Sequence, residues 1–300
     1  MNARSLVLLG LLAWSGCAGV SHLPRQVASC RITRNARIEL TLARNFMLVP
    51  ANLDGHAAQL LLDTGAAVST ITPQAAVWLH LPRDPHGLLL EGIGGQVLSD
   101  VVRAPTLELG GMVLRDRRLS VGPIVPLPDA DPPLIGVLGA DVLGGHDIDL
   151  DVPNHRMDLY TVGSCPDFRP WPQSSALAIA RSSQGLLFTG VAVDGHGVRA
   201  LIDTGARISV VSRRLAASVG VGAAALASDP VANGRGFGAA TTVLRRHRFT
   251  RLRIGGLAIE QPTIAVTDHL FAGIDMLLGA DVLGQRELWL SYPAARLYVR

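Results

Sequence analysis

Lysine is missing from this 300-residue sequence, whose 27 basic residues are all arginine, so no Schiff-base or general-base lysine is available. A metal-ligand set is missing too. The nine histidines form no His-Glu-x-x-His pattern or close pair, and the three cysteines form no Cys-x-x-Cys unit. No Gly-x-Ser-x-Gly elbow is present, which leaves a serine hydrolase without its nucleophile turn. No cofactor is expected, because the chemistry read below needs only two carboxyls and a water. The net charge of +3 is too small and too dispersed to imply a nucleic-acid partner. Aromatic residues make up only 4%, whereas Gly (32) and Pro (18) are frequent, the profile of many short strands joined by turns. With 48% hydrophobic and 17% charged residues, the composition is neither disordered nor coiled-coil. The length fits about two domains, each large enough to bury its own core.

Long apolar runs are absent as well. Residues 6–12 are apolar and follow Arg4, but the run is too short to span a bilayer and reads as the centre of a targeting segment over 1–17. It ends at Ala13-Trp14-Ser15-Gly16-Cys17, small residues before a cysteine, similar to a bacterial lipoprotein signal except at Trp14. Lipidation at Cys17, plain secretion with cleavage nearby, and an uncleaved anchor all stand as readings. The expectation is an exported protein of the periplasm or outer membrane, attached through a tether over 18–34 and touching the membrane only by its lipid. An oxidising compartment would let Cys30 and Cys165 pair, although both also fit as unpaired small apolar residues.

What the sequence does contain is a repeat. Leu60-Leu61-Leu62-Asp63-Thr64-Gly65-Ala66 returns 140 positions later as Ala200-Leu201-Ile202-Asp203-Thr204-Gly205-Ala206. Leu138-Gly139-Ala140-Asp141-Val142-Leu143-Gly144 returns at the same offset as Leu278-Gly279-Ala280-Asp281-Val282-Leu283-Gly284. Duplication of one unit explains this. The units span 35–160 and 177–300, with a Pro-rich linker over 161–176. Within each, strands at 46–53 and 58–62, or 186–193 and 198–202, flank an Asp-Gly hairpin turn, so each Asp-Thr-Gly follows the hairpin's second strand. Gly110-Gly111 and Gly255-Gly256 mark a further hairpin in each unit. Short helices are expected at Ala140 and Ala280, and over 73–79 and 213–219.

One Asp-Thr-Gly could be a plain turn, with Asp bonding its own backbone. Two copies in duplicated units differ, because a two-fold arrangement brings both loops to the axis. Carboxylates about 3 Å apart cannot both ionise and share one proton. The ionised member can then activate a water while the protonated one donates to a carbonyl oxygen.

The apolar-Asp-Thr-Gly-Ala motif, with Leu-Gly-Ala-Asp some 76 residues beyond it, resembles the retropepsins and their larger pepsin relatives. Gly92-Ile93-Gly94-Gly95 resembles a retroviral flap tip, with Gly236-Phe237-Gly238 as its counterpart, and 151–157 is similar to the closing hairpin of a pepsin-like lobe. The resemblance implies an all-β fold of two retropepsin-like β-barrel lobes with short helices, related by a pseudo-two-fold. It implies Asp63 and Asp203 as catalytic residues of an aspartic endopeptidase acting on peptide or protein. Thr64 and Thr204 would interlock beneath them, Gly65 and Gly205 would make the turns, and Ile93, Gly94, Phe237 and Gly238 would touch substrate. Leu138-Gly139 and Leu278-Gly279 would pack behind the loops. Where retroviral enzymes carry Arg after the second motif's Gly, Ala140 and Ala280 stand here, so lobe association must rest on other contacts.

Other signals are weighed beside this. Arg207 lies close to the second motif and either lowers the pair's proton affinity, reads an acidic substrate group, or points to solvent. Residues 245–254 alternate Arg with Phe249, Leu252 and Ile254, a strand with one solvated face in preference to a polyanion site. Asp147, Asp149 and Asp151 alternate likewise and are expected on a solvated face in preference to a calcium site. Gly234-Arg235-Gly236-Phe237-Gly238-Ala239 fits a dinucleotide pattern, but the β-like 241–244 that follows argues against it. The functional alternatives are a non-catalytic peptide-binding envelope protein, halves that dimerise with other chains, and an envelope scaffold. A monomer that pairs its own two halves is the principal expectation.

Overall fold

The computed structural model describes residues 30–300 apart from 93–94, 125, 164, 166–167, 236–240, 269 and 271–272. Cys17 and the four expected flap positions Ile93, Gly94, Phe237 and Gly238 lie outside the described residues. The protein is mostly strand, with five helices of four to six residues among the described residues.

Each lobe starts from the same local chemistry. The strands Phe46–Leu53 and His56–Leu62 form a hairpin across Asp54 and Gly55, both at positive φ (49° and 86°), the turn that suits the right-handed twist of paired strands. Leu187–Val193 and His196–Ile202 repeat it across Asp194 (47°) and Gly195 (85°). A third strand then lies parallel to the second. Leu134–Leu138 sets Leu138 beside Leu62, and Met276–Leu278 sets Leu278 beside Ile202. The expected helices are present as Pro73–Trp78 and Arg213–Ser218, where Thr72 and Ser212 accept the N–H groups of Ala75 and Leu215. Ala140–Leu143 and Ala280–Leu283 also form as expected. An Ala-rich helix, Ala223–Ala227, was not foreseen.

The lobes meet through one sheet. Its strands run in the order Ile32–Glu39, Arg156–Val162, Asp147–Asp151, Glu287–Ser291, Arg296–Val299 and Leu177–Arg181. The central pair is antiparallel and self-related. Asp149 faces Trp289, its own repeat equivalent, while Asp147 faces Ser291 and Asp151 faces Glu287. The pseudo-two-fold axis therefore passes between Asp149 and Trp289. A disulfide from Cys30 to Cys165 ties the start of Ile32–Glu39 to the chain just beyond Arg156–Val162.

This sheet corrects one expectation. Asp147, Asp149 and Asp151 are buried, not solvated. Partner strands cover both edges, and the ring of Tyr160 stacks on Trp289 while that of Phe168 packs against it at a tilt. Arg156 compensates the acids, with ion pairs to Asp149 (3.6 Å), Asp151 (3.1 Å) and Asp158 (3.4 Å). Burial, with Glu287 nearby, pushes the Asp149 carboxyl up to about 6.

A main core runs through both lobes, and two smaller equivalent clusters sit under the cleft. One gathers Phe46, Leu48, Leu61 and Val137, the other Phe188, Leu201, Val210, Leu244, Ala265 and Leu277. Both are built from the faces of the hairpin strands that point away from the main core, because successive residues of a strand alternate sides.

Candidate active site

Both Asp-Thr-Gly loops emerge where a hairpin strand ends beside its parallel neighbour. Asp63 N–H donates to Leu138 O (3.1 Å), and Asp203 N–H donates to Leu278 O (3.0 Å). The central strands thus deliver the two aspartates to matching positions, one in each lobe.

The next residue locks the lobes together. Thr64 Oγ1 donates to Ile202 O (2.7 Å) and accepts Thr204 N–H (3.1 Å). Thr204 Oγ1 donates to Leu62 O (2.9 Å) and accepts Thr64 N–H (3.0 Å). Each hydroxyl spends its proton and a lone pair on the opposite lobe's backbone, and both threonines are buried. Four reciprocal bonds therefore fix the spacing of the two loops.

The glycines explain the approach of the carboxyls. A Cβ at Gly65 would stand 2.6 Å from Asp203 Cγ, and one at Gly205 would overlap Asp63 Cγ. Each carboxyl lies over the opposite lobe's glycine, where any side chain would displace it. The two carboxyls therefore face each other closely enough to interact directly. Gly65 N–H also donates to Asp63 Oδ1 (2.9 Å), and Ala206 N–H donates to Asp203 Oδ1 (3.0 Å).

Each aspartate keeps part of its surface on the cleft, yet dense protein surrounds both. Burial, then the facing Asp203, holds Asp63 well above the usual carboxylate range. Burial raises Asp203 too, against the lowering effect of hydrogen bonds from Ala206, Asp63 and Gly205. The two carboxyls thus titrate as one coupled pair whose proton affinity is raised.

A second repeated device holds the loops from behind, and it was not singled out from the sequence. Asp141 Oδ1 accepts both Ser69 N–H (2.8 Å) and Ser69 Oγ–H (2.7 Å), and Ser69 Oγ in turn accepts Gly139 N–H (3.0 Å). Asp281, Ser209 and Gly279 repeat this at 2.8, 2.7 and 3.0 Å. The signal was present, since Ser69 and Ser209 share the 140-residue offset of the acids they bind. Ala140 N–H and Ala280 N–H close the arrangement on Ala66 O (2.8 Å) and Ala206 O (2.7 Å). Gly139 and Gly279 let the two segments touch, because a Cβ at either would meet the backbone of residues 66–69 or 208–209. Leu138 and Leu278 pack behind the loops, both fully buried.

The carboxyl pair lies on the floor of a cleft of about 1180 Å³ between the lobes. Phe46 and Phe188 line it from the two hairpins, with Leu277 below. From the Gly-rich hairpin of the first lobe, Leu89, Leu90, Glu91 and Gln96 overhang it, opposite Asn233, Gly234 and Thr242 of the second. Such a space suits an extended chain with alternate side chains directed to either lobe. Tyr292 is a further buried group that sequence reasoning did not mark. Val152 stands at its place in the first lobe. Burial, and then the charge of Asp63, raises its phenol.

The model of the aspartyl protease family matches this chain twice, over residues 49–142 and 189–282, more than half of its length. Each matched stretch holds one Asp-Thr-Gly and one Leu-Gly-Ala-Asp. No curated protein matches the chain.

Proposed function

We propose that this chain, which belongs to the aspartyl protease family, is an endopeptidase that hydrolyses peptide bonds with a water activated between Asp63 and Asp203. The observation that carries the reading is the pair itself, two facing carboxyls from two lobes, each partly exposed on the floor of one cleft. In the singly protonated pair, the ionised carboxylate takes a proton from the water as its oxygen attacks the scissile carbonyl carbon. The protonated carboxyl donates to the carbonyl oxygen. The tetrahedral intermediate then collapses as a proton passes to the leaving amine, and the pair returns to its starting state. The cycle uses no metal or other cofactor. Thr64 and Thr204 act by holding the carboxyls in register, Gly65 and Gly205 by letting them approach.

In this reading the substrate is a peptide or protein bound as an added strand, and Ile93, Gly94, Phe237 and Gly238 close over it. Phe46 and Phe188 favour apolar side chains next to the scissile bond. The chain works as a monomer, since one molecule carries both aspartates. It is exported and anchored by lipid at Cys17 in the periplasm or outer membrane. The Cys30–Cys165 disulfide supports an oxidising compartment. Metabolic labelling with a fatty-acid probe would transfer to the wild type and not to Cys17→Ala. Labelling of both would dismiss this anchor.

Proteolysis tests the principal reading. The purified soluble form should cleave a denatured protein within pH 3 to 7, and Asp63→Asn/Asp203→Asn should not. A folded wild type that cleaves nothing across that range would favour a binding protein that keeps the cleft without turnover.

A further inference from the structure

We propose that the cleft selects substrates bearing a carboxylate on the side faced by the second lobe, and that Arg181, Arg199, Arg207 and Arg246 receive it. The proposal rests on the endopeptidase reading for its effect on turnover, but its binding term stands independently.

The argument begins with position. All four arginines line the cleft that holds Asp63 and Asp203. They come from separate segments of the second lobe. Arg181 ends the strand Leu177–Arg181, and Arg199 lies in His196–Ile202 on the face shared with Leu201. Arg207 follows the Asp-Thr-Gly loop. Arg246 lies in Thr241–Arg248, where Thr242, Leu244 and Arg246 alternate onto the cleft. Arg246 is exposed, as the sequence led one to expect, and its exposed side faces the cleft.

The first lobe has no such charge. At the 140-residue offset, Thr41, Gln59 and Ala67 stand where the second lobe has Arg181, Arg199 and Arg207. Val101 pairs with Ser120 as Arg246 pairs with Ala265, so it holds the equivalent of the fourth place. Duplicated units have therefore diverged at four positions toward one sign of charge on one wall. Glu91 is the one other acid among the described residues of the lining besides the aspartate pair.

The state of these side chains fits reception of a ligand. None of the four forms an ion pair with a carboxylate among the described residues. Instead three of them rest near rings. The Arg199 guanidinium lies 4.7 Å from the Phe188 centroid, Arg207 lies 5.6 Å from Phe46 of the opposite lobe, and Arg181 lies 5.9 Å from Tyr292. Contact with a ring face steadies a guanidinium while its in-plane N–H groups stay free for a bidentate carboxylate. Arg207 reaches across the cleft to Phe46, so a chain lying over the aspartate pair would pass beside it.

A substrate carboxylate has two sources, an internal Asp or Glu side chain and the free C-terminus. Both give the same chemistry at the guanidinium. Labelled peptides bound to Asp63→Asn/Asp203→Asn, which cannot turn them over, separate the two. The panel compares Glu with Gln at each position around a fixed apolar pair, with the C-terminus free or amidated. At low salt, carboxylate peptides should bind up to about 5-fold tighter than their amide counterparts, with the preference shrinking as ionic strength rises. Preference that survives amidation assigns the side chain; preference lost on amidation assigns the terminus. Adding Arg199→Gln and Arg207→Gln should bring the ratio close to one, and thermal melting checks that these variants remain folded. Equal affinity of acid and amide peptides, free or capped, would overturn the proposal. Turnover by the wild type on the same panel is read separately. Cleavage without acid preference in binding or kcat/KM leaves the endopeptidase reading and removes this one. Acid-selective binding without cleavage does the reverse.

Discussion

Replacing Thr64 by Val tests the junction beneath the aspartate pair. Valine keeps the volume and the branched shape, so no cavity opens and only the hydroxyl is lost. Two buried partners in the second lobe are then orphaned, the Ile202 carbonyl and the Thr204 N–H, which now bond at 2.7 and 3.1 Å. Leaving one buried polar group unpaired costs about 1–3 kcal/mol, so the substitution should cost about 2–6 kcal/mol. Thr64→Ser keeps the hydroxyl and loses one methyl, which should cost about 1 kcal/mol. Equilibrium urea unfolding of the oxidised protein, followed by far-ultraviolet circular dichroism, measures both. Because the bonds join the lobes and set the distance between carboxyls, Thr64→Val should also lower kcat more than it alters KM. A cost below about 0.5 kcal/mol for Thr64→Val, or an equal cost for Ser and Val, would refute the claim that these hydroxyls couple the lobes.

Further outcomes follow from other parts of the molecule. Asp149 has a folded-state pKa raised from 3.8 to about 6, so its contribution to stability is fully present below the unfolded value and is lost as pH rises through about 6. Asp149→Asn removes that loss and should gain up to about 3 kcal/mol over the wild type at pH 8 and almost nothing at pH 4, as read from urea midpoints; a pH-independent difference would contradict the assignment. Asp281→Ala should release Ser209 and, through it, Gly279, lowering kcat and costing about 2–4 kcal/mol. Asp281→Asn retains an acceptor and should restore most of both, whereas failure of Asn to rescue would point to the charge. The Cys30–Cys165 bond closes a separation of 135 residues, so the double Ala variant should lose stability by up to about 5 kcal/mol in denaturant, and reduction of the wild type should match it.

Much of the site was legible because it is written in local turn chemistry and then repeated. Asp54-Gly55 and Asp194-Gly195 fix two hairpins, and each hairpin must end at an Asp-Thr-Gly, so the position of both aspartates follows from short-range signals. The family match over both repeats agrees with the two-lobed all-β architecture read from those motifs. What escaped was information held by distant partners. Asp147, Asp149 and Asp151 alternate as a solvated strand would, and only their pairing with Glu287–Ser291 and the ring cluster at Trp289 buries them. Asp141 stood in a recognised motif, but its role depends on Ser69, 72 positions away. The Ala223–Ala227 helix has strong local propensity in a segment that has no equivalent in the first repeat, so repeat matching passed over it. The orientation of Arg246 was likewise set by which face of its strand met the cleft, a matter that alternation leaves two-fold ambiguous.

The claim that one chain carries one complete aspartate pair is tested most directly by rates for Asp63→Asn, Asp203→Asn and their equimolar mixture on a single peptide cleaved by the wild type. An intramolecular pair predicts that each variant loses activity by on the order of 10⁴-fold or more and that the mixture recovers none of it. Near wild-type cleavage by either single variant, or recovery on mixing, would contradict it.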